Sequence, residues 1–164
     1  MKKIIVILAL LTGLWTNLLA DNNVDPNMMI HYSFGNVNGK IVVDESGNGY
    51  NATLYNNATV TTMGKYKVMS LGTSSGYLDM GASAGNILKN TIDFTISTYY
   101  MVDNDASLSG NGYFLWAFSQ LAANTATSSA YMTYRLNAQR FATSTGGYNN
   151  ENGVEIGSSA AKGS

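Results

Sequence analysis

An all-β fold, an antiparallel β-sandwich, is what this sequence predicts, on three observations. Short runs alternate apolar and polar residues with the period of two that marks a strand with one buried face. Clusters of Gly, Asn, Ser and Thr separate those runs, in a chain with 17 glycines and a single proline. Helical periodicity is not sustained anywhere, so alternating β and α units are not expected.

The elements follow in chain order. Residues 1–20 read as a secretory signal peptide: Lys2 and Lys3 precede an apolar run from Ile4 to Leu11, and small or neutral residues lead to Ala20 before acidic Asp21. The apolar run is too short to cross a hydrocarbon core of about 30 Å, which takes roughly 20 apolar residues, so no membrane span is expected after cleavage. Leu18 departs from the small residue usual two positions before a cleavage point. Residues 21–27 form a short linker, and 28–164 are expected to form one sandwich domain. The first strand is expected over Met28 to Phe34, where Met28, Ile30, Tyr32 and Phe34 share a face. Further strands are expected at Tyr66 to Leu71, Tyr77 to Met80, Asp93 to Val102, Tyr113 to Phe118, Tyr131 to Leu136 and Arg140 to Thr143. In the fourth of these seven, Phe94, Ile96, Thr98 and Tyr100 share a face. Turn signals fall at 35–39, 45–49, 73–76, 103–112 and 145–152.

Composition excludes some functions. Beyond residue 20 the chain has seven basic and ten acidic residues, a net charge of −3 with neither sign clustered. Nucleic acid is therefore not an expected partner, because binding phosphates needs a basic patch that displaces counterions. Cysteine is absent, so an exported chain must rest on its apolar core or on a bound ion rather than on disulfides. The string Ser-Gly-Asn-Gly-Tyr occurs at Ser46 to Tyr50 and again at Ser109 to Tyr113. Its flanks differ, so it marks two similar tight turns and no repeat architecture.

Four stretches carry a family resemblance: His31-Tyr32-Ser33-Phe34, then Val43 to Leu54 with Asp44-Glu45-Ser46-Gly47-Asn48-Gly49-Tyr50 at its centre, then Gly76 to Gly81, then Asp93-Phe94-Thr95-Ile96-Ser97. In their order and spacing they resemble the amino-terminal half of a laminin-G-like, concanavalin-A-like jelly-roll domain of exported bacterial proteins. The resemblance implies an incomplete jelly roll, since such domains continue into further strands beyond a Lys-Gly-Ser like Lys162-Gly163-Ser164. A sandwich short of its last strands would expose unpaired sheet edges, and the chain is accordingly expected to be a fragment of a longer protein with a downstream domain.

Asp44, Ser46 and Asn48 place side-chain oxygens at alternate positions of a glycine turn, which suits a hard cation that takes six to eight oxygens. An EF-hand is excluded because its twelfth position is Tyr55. The resemblance implies a structural calcium held by these three residues and others; the alternative is an Asx turn in which Asp44 or Asn48 bonds nearby backbone. Catalysis finds little support. His31 is the sole histidine, no Gly-x-Ser-x-Gly elbow occurs, and nothing selects a carboxylate pair such as Asp79 with Asp93 for glycoside hydrolysis. The chain itself is not expected to be an enzyme.

Glycan binding is the leading expectation, because flat aromatic rings accept sugar C–H faces while Asn and Asp bond hydroxyls. Tyr99, Trp116 and Tyr148 are the candidate contacts, with Tyr100 as a weaker one; alternation places Tyr100 and Trp116 in the core. The sequons Asn51-Ala52-Thr53 and Asn57-Ala58-Thr59 are expected to carry no glycan in a bacterial protein. The resemblance implies a non-catalytic carbohydrate-binding accessory module of a secreted glycan-degrading protein, located in the periplasm, at the cell surface or outside the cell. A surface adhesion or protein-interaction module, and a fragment of a glycoside hydrolase whose catalytic part lies elsewhere, are the alternatives.

Overall fold

The computed structural model describes residues 25–89, 91–104, 113–119, 128–135, 138–144 and 151–158. The leader and most of the linker lie outside them. The chain divides into two compact units, Met1–Gly76 and Tyr77–Ser164. Strands dominate both, and every strand pairing described below is antiparallel; the all-β class is the one that the alternating pattern predicts.

The first unit is built on a tight hairpin. β1 (Val37–Asn38) and β2 (Ile41–Val42) pair across Gly39 and Lys40, and the positive φ of Gly39, +60°, suits the two-residue turns that match strand twist. β2 then pairs with β3 (Ala52–Tyr55), setting Val42 opposite Ala52. Those two side chains are fully buried and Leu54, two residues on, is nearly so. This small apolar centre fixes both ends of the loop 43–51. A second hairpin joins β4 (Thr59–Met63) to β5 (Tyr66–Ser70), and Ala58 at its foot is buried.

The second unit opens with β6 (Tyr77–Asp79) and helix α1 (Gly81–Lys89). The sequence shows no apolar stripe there because the segment is rich in small residues. Ala84 is its one buried side chain among those described, and Asp79 Oδ1 accepts the Gly81 N–H at 2.8 Å, a side-chain bond at the helix start that offsets an orphan donor. A four-stranded meander follows: β7 (Tyr113–Ser119), β8 (Ser128–Arg135), β9 (Ala138–Ser144) and β10 (Glu151–Ser158). β10 lies partly in a stretch read from sequence as a turn. Its glycines and glutamates hide a strand whose register is set by β9, with Val154 opposite Phe141.

One irregularity matters for the site. Phe114 pairs with Thr133 while Trp116 pairs with Met132, so Leu115 is an extra residue in β7. A bulge of this kind turns side chains two apart to opposite faces. Phe114 therefore meets Tyr131 edge-on, with ring centroids 5.4 Å apart, on the face where Tyr131, Thr133 and Ala142 are buried. Trp116 lies on the other face.

The expected first strand and the expected strand at 93–102 are not strands. Residues 28–32 are held by loop 44–50 through side-chain bonds and one backbone bond instead of a ladder, and residues 94–103 form neither helix nor strand.

Candidate functional site

Two places gather the chemistry read from the sequence. The first is the loop 43–51. Gly47 and Gly49 have φ of +88° and +80°, values that side chains resist, and they curl the loop around Asp44. The Asp44 carboxylate is only 5% exposed. Its Oδ1 accepts the backbone N–H of His31 at 2.9 Å and of Ser46 at 3.0 Å. Its Oδ2 accepts the Ser46 hydroxyl at 2.8 Å and the Tyr50 N–H at 3.0 Å. The Ser46 contact is the Asx turn that stood as the alternative to an ion. Burial works against the charge of Asp44, and the bonds from His31, Ser46 and Tyr50 outweigh it, holding the carboxyl below its ordinary range. Asn51 Oδ1 accepts the Asp44 N–H at 2.9 Å, so the residue is bound at its backbone as well.

Ser46 and Asn48 extend the network to residues 28–32. Ser46 Oγ reaches the Met29 carbonyl at 3.0 Å. Asn48 Nδ2 donates toward the carbonyls of Met28 at 3.1 Å and Met29 at 3.2 Å and toward Ser46 Oγ at 3.2 Å. The Glu45 N–H bonds the His31 carbonyl at 2.8 Å. Tyr32 donates its hydroxyl to the Tyr50 carbonyl. Burial, and after it the nearby Asp44 carboxylate, push that phenol up to about 12.

The structure thus brings Asp44, Ser46 and Asn48 together, as a calcium site requires. The donor set does not suit calcium as it stands. All four lone-pair positions of Asp44 face N–H or O–H donors, and the oxygens that converge beside it surround the Asn48 amide nitrogen. Rotating that amide would set its oxygen against two carbonyl oxygens, so its orientation is fixed by the Met28 and Met29 carbonyls. A cation here would have to displace the amide. Among the described residues, no three His, Asp or Glu side chains gather as metal ligands.

The second place is an open groove of about 460 Å³ in the second unit, bounded by residues 92–96, Trp116 and Phe141. The Leu115 bulge presents Trp116 here, where it is half-buried. Its ring stands 5.8 Å from Phe118 and 5.9 Å from Phe141, tilted by 60° and 49°. Phe94, which alternation assigns to a core, is 46% exposed and Ile92 before it 96%, so apolar side chains stand open to solvent here. Tyr99, on the same segment, is fully exposed. Asp93 and Thr95 supply polar groups to the groove. Sequence reasoning singled out Trp116 and Tyr99 as ligand contacts and missed Phe141, which no turn or motif marks, and Phe94, which it read as part of a strand face. Tyr148 lies outside the described residues.

No helix among the described residues is long and apolar enough to cross a membrane. No family model matches the chain, laminin-G-like or other, and no curated protein matches it. Among solved structures the chain is similar to an S-layer domain-containing protein from Clostridium thermocellum (residues 221–444), with a TM-score of 0.64 and 22% identity, over 84% of this chain and 61% of that one. The chain therefore spans about three fifths of that neighbour's length, and at this identity what the two share is the fold.

Proposed function

We propose that this chain is an exported, non-catalytic surface module of jelly-roll type that binds a glycan in the groove between residues 92–96 and the Trp116–Phe141 face. One observation carries the reading: the Leu115 bulge aims an aromatic cluster into an open groove that also holds a carboxylate and a hydroxyl. Sugars are bound by that mixture, flat rings for their C–H faces and a few polar groups for their hydroxyls. The groove falls within the size range of small-ligand sites, roughly 300–1,000 Å³. The likeness to an S-layer domain-containing protein supports the surface location, and so does the leader read from the sequence. Service as an accessory to a glycan-degrading protein belongs to the same reading.

A second reading, an adhesion or protein-interaction module, is favoured by the exposure of Ile92, Phe94 and Ile96, since contiguous apolar surface marks association sites. Fluorescence separates the two. Beyond residue 20, Trp116 is the sole tryptophan, so its emission reports on the groove directly. Titration with soluble cell-wall and plant polysaccharides is expected to shift that emission saturably. Emission indifferent to every glycan tested would sink the glycan reading and leave the apolar segment to a protein partner.

A further inference from the structure

The loop 44–50 grips residues 28–32 with five hydrogen bonds: Asn48 to the Met28 and Met29 carbonyls, the His31 N–H to Asp44, the Glu45 N–H to the His31 carbonyl, and the Tyr32 hydroxyl to the Tyr50 carbonyl. Four of the five engage the main chain of residues 28–32. The grip is therefore a receptor for the main chain of this segment, and any copy of the segment satisfies it equally. Between the gripped segment and β1 lie only residues 33–36. Within them Phe34 has φ of +61°, a left-handed conformation that is an outlier for a bulky side chain. Gly35 next to it donates its N–H to Ser33 Oγ at 3.0 Å, closing the bend. A short hinge held in a strained conformation is the condition under which an end segment exchanges between copies, because opening the hinge releases the strain and the same contacts re-form in the partner.

We propose that residues 28–32 exchange between two copies of this chain, each segment seating on the 44–50 loop of the other and residues 33–36 opening as the hinge. The occupant is a second copy because no other chain is required to supply a tyrosine at the place of Tyr32 and the same run of free carbonyls. The proposal is independent of the glycan groove. The closed monomer and the exchanged dimer have the same five bonds, so the difference between them lies in Phe34 and in protein concentration.

The absence of cysteine provides a direct test. The side chains of His31 and Glu45 face each other, with Nδ1 and Oε2 3.9 Å apart, while the hydrogen bonds of both residues in the grip come from their main chains. Two single-cysteine proteins, His31→Cys and Glu45→Cys, are mixed at high concentration and oxidised mildly. No chain can link to itself at these sites, so a covalent heterodimer well above the homodimers of either protein alone is the expected result. Heterodimer no more abundant than those homodimers overturns the proposal. A second measurement uses light scattering on a size-exclusion column. Phe34→Pro cannot adopt the closed hinge and is expected to shift the population toward dimer, whereas Phe34→Gly relaxes it and is expected to disfavour the dimer by about tenfold per hinge. The same monomer–dimer balance in wild type and both variants would equally overturn it.

Discussion

The Asp44 loop and the segment 92–103 differ in a way that reverses the first impression of the sequence. The loop is rich in polar oxygens and reads as a ligand site, yet the carboxylate, hydroxyl and amide that promise a ligand are engaged by the protein itself. The segment reads as a core strand, yet Phe94 and Ile96 of its expected buried face are exposed, as are Ile92 before it and Tyr99. Polar side chains close together satisfy one another when enough N–H groups converge on them. Apolar side chains have no such recourse: without a covering layer they remain open, and an open apolar surface is the kind that binds. The polar cluster is consequently assigned to stability, and the apolar segment is where the proposed recognition rests.

The largest effect should come from breaking the loop. Asp44→Ala leaves the N–H groups of His31, Ser46 and Tyr50 without their acceptor in a nearly buried place, and hydrogen bonds to a charged group contribute roughly 1.5–3 kcal/mol each before neighbours compensate. A net loss of about 3 kcal/mol is expected, measured by urea unfolding. The same carboxylate sets an acid limit. Its folded value lies below the ordinary one near 3.9, so its contribution is complete above that pH and disappears as the pH falls through the lowered value. Tyr32 sets the opposite limit. Its phenol, raised to about 12, adds stability in full below about 10 that is lost as the pH climbs through 12. Removing the hydroxyl in Tyr32→Phe, which abolishes that alkaline loss, is expected to cost about 1 kcal/mol at neutral pH. An acid limit unchanged by Asp44→Asn would mean that the loop is not what the carboxylate stabilises.

A smaller change sharpens the comparison by converting one kind of site into the other. In Asn48→Asp a carboxylate replaces the amide nitrogen that three oxygens surround. Without a cation these oxygens repel, and a loss of about 2 kcal/mol is expected. Calcium should restore the melting temperature, because the cluster would then offer the new carboxylate, the Ser46 hydroxyl and the Met28 and Met29 carbonyls to a hard cation, with water completing its shell. The wild-type protein should melt at the same temperature with calcium or with a chelator. A calcium-dependent rise in the wild type would show that the Asn48 amide gives way to the ion.

Much of this was legible from residues alone, and the failures have physical causes. Strands β5 through β9 lie close to where alternation puts them, and in β8 the cause is visible, since Tyr131 and Thr133 are buried on one face while Met132 between them is half-buried. β1 and β2 are two residues each, too short to alternate, and β10 is defined by its partner β9 rather than by its own glycine-containing sequence. Helix α1 has alanines and glycines where a stripe would need large apolar residues. The oxygen cluster at 44–48 was visible as a cluster; that its N–H partners come from residues 31, 46 and 50 was not, because the positive φ values that aim them are set by the folded loop. Trp116 was visible as an aromatic, but the inserted Leu115 that turns it away from the face of Phe114 has no sequence signature.

The finest test of the comparison concerns Tyr99. It is fully exposed, so replacing it by alanine removes no buried surface and should change stability by no more than about 0.5 kcal/mol. If the segment 92–103 is a recognition surface, the substitution acts on binding instead. Stacking of a ring on a ligand face is of order 1 kcal/mol, which corresponds to about a fivefold weaker affinity for the glycan that shifts Trp116 emission. Trp116→Phe gives the contrast within the groove, since its ring packs against both Phe118 and Phe141, and its replacement should lower stability and affinity together, the affinity being read by titration calorimetry because this variant has lost the emitting ring. Stability and affinity moving together at Tyr99 as well would mean that this side chain supports the fold in solution. Affinity falling alone at Tyr99, with both falling at Trp116, would locate the glycan across the rim of the groove and leave the aromatic cluster as its floor.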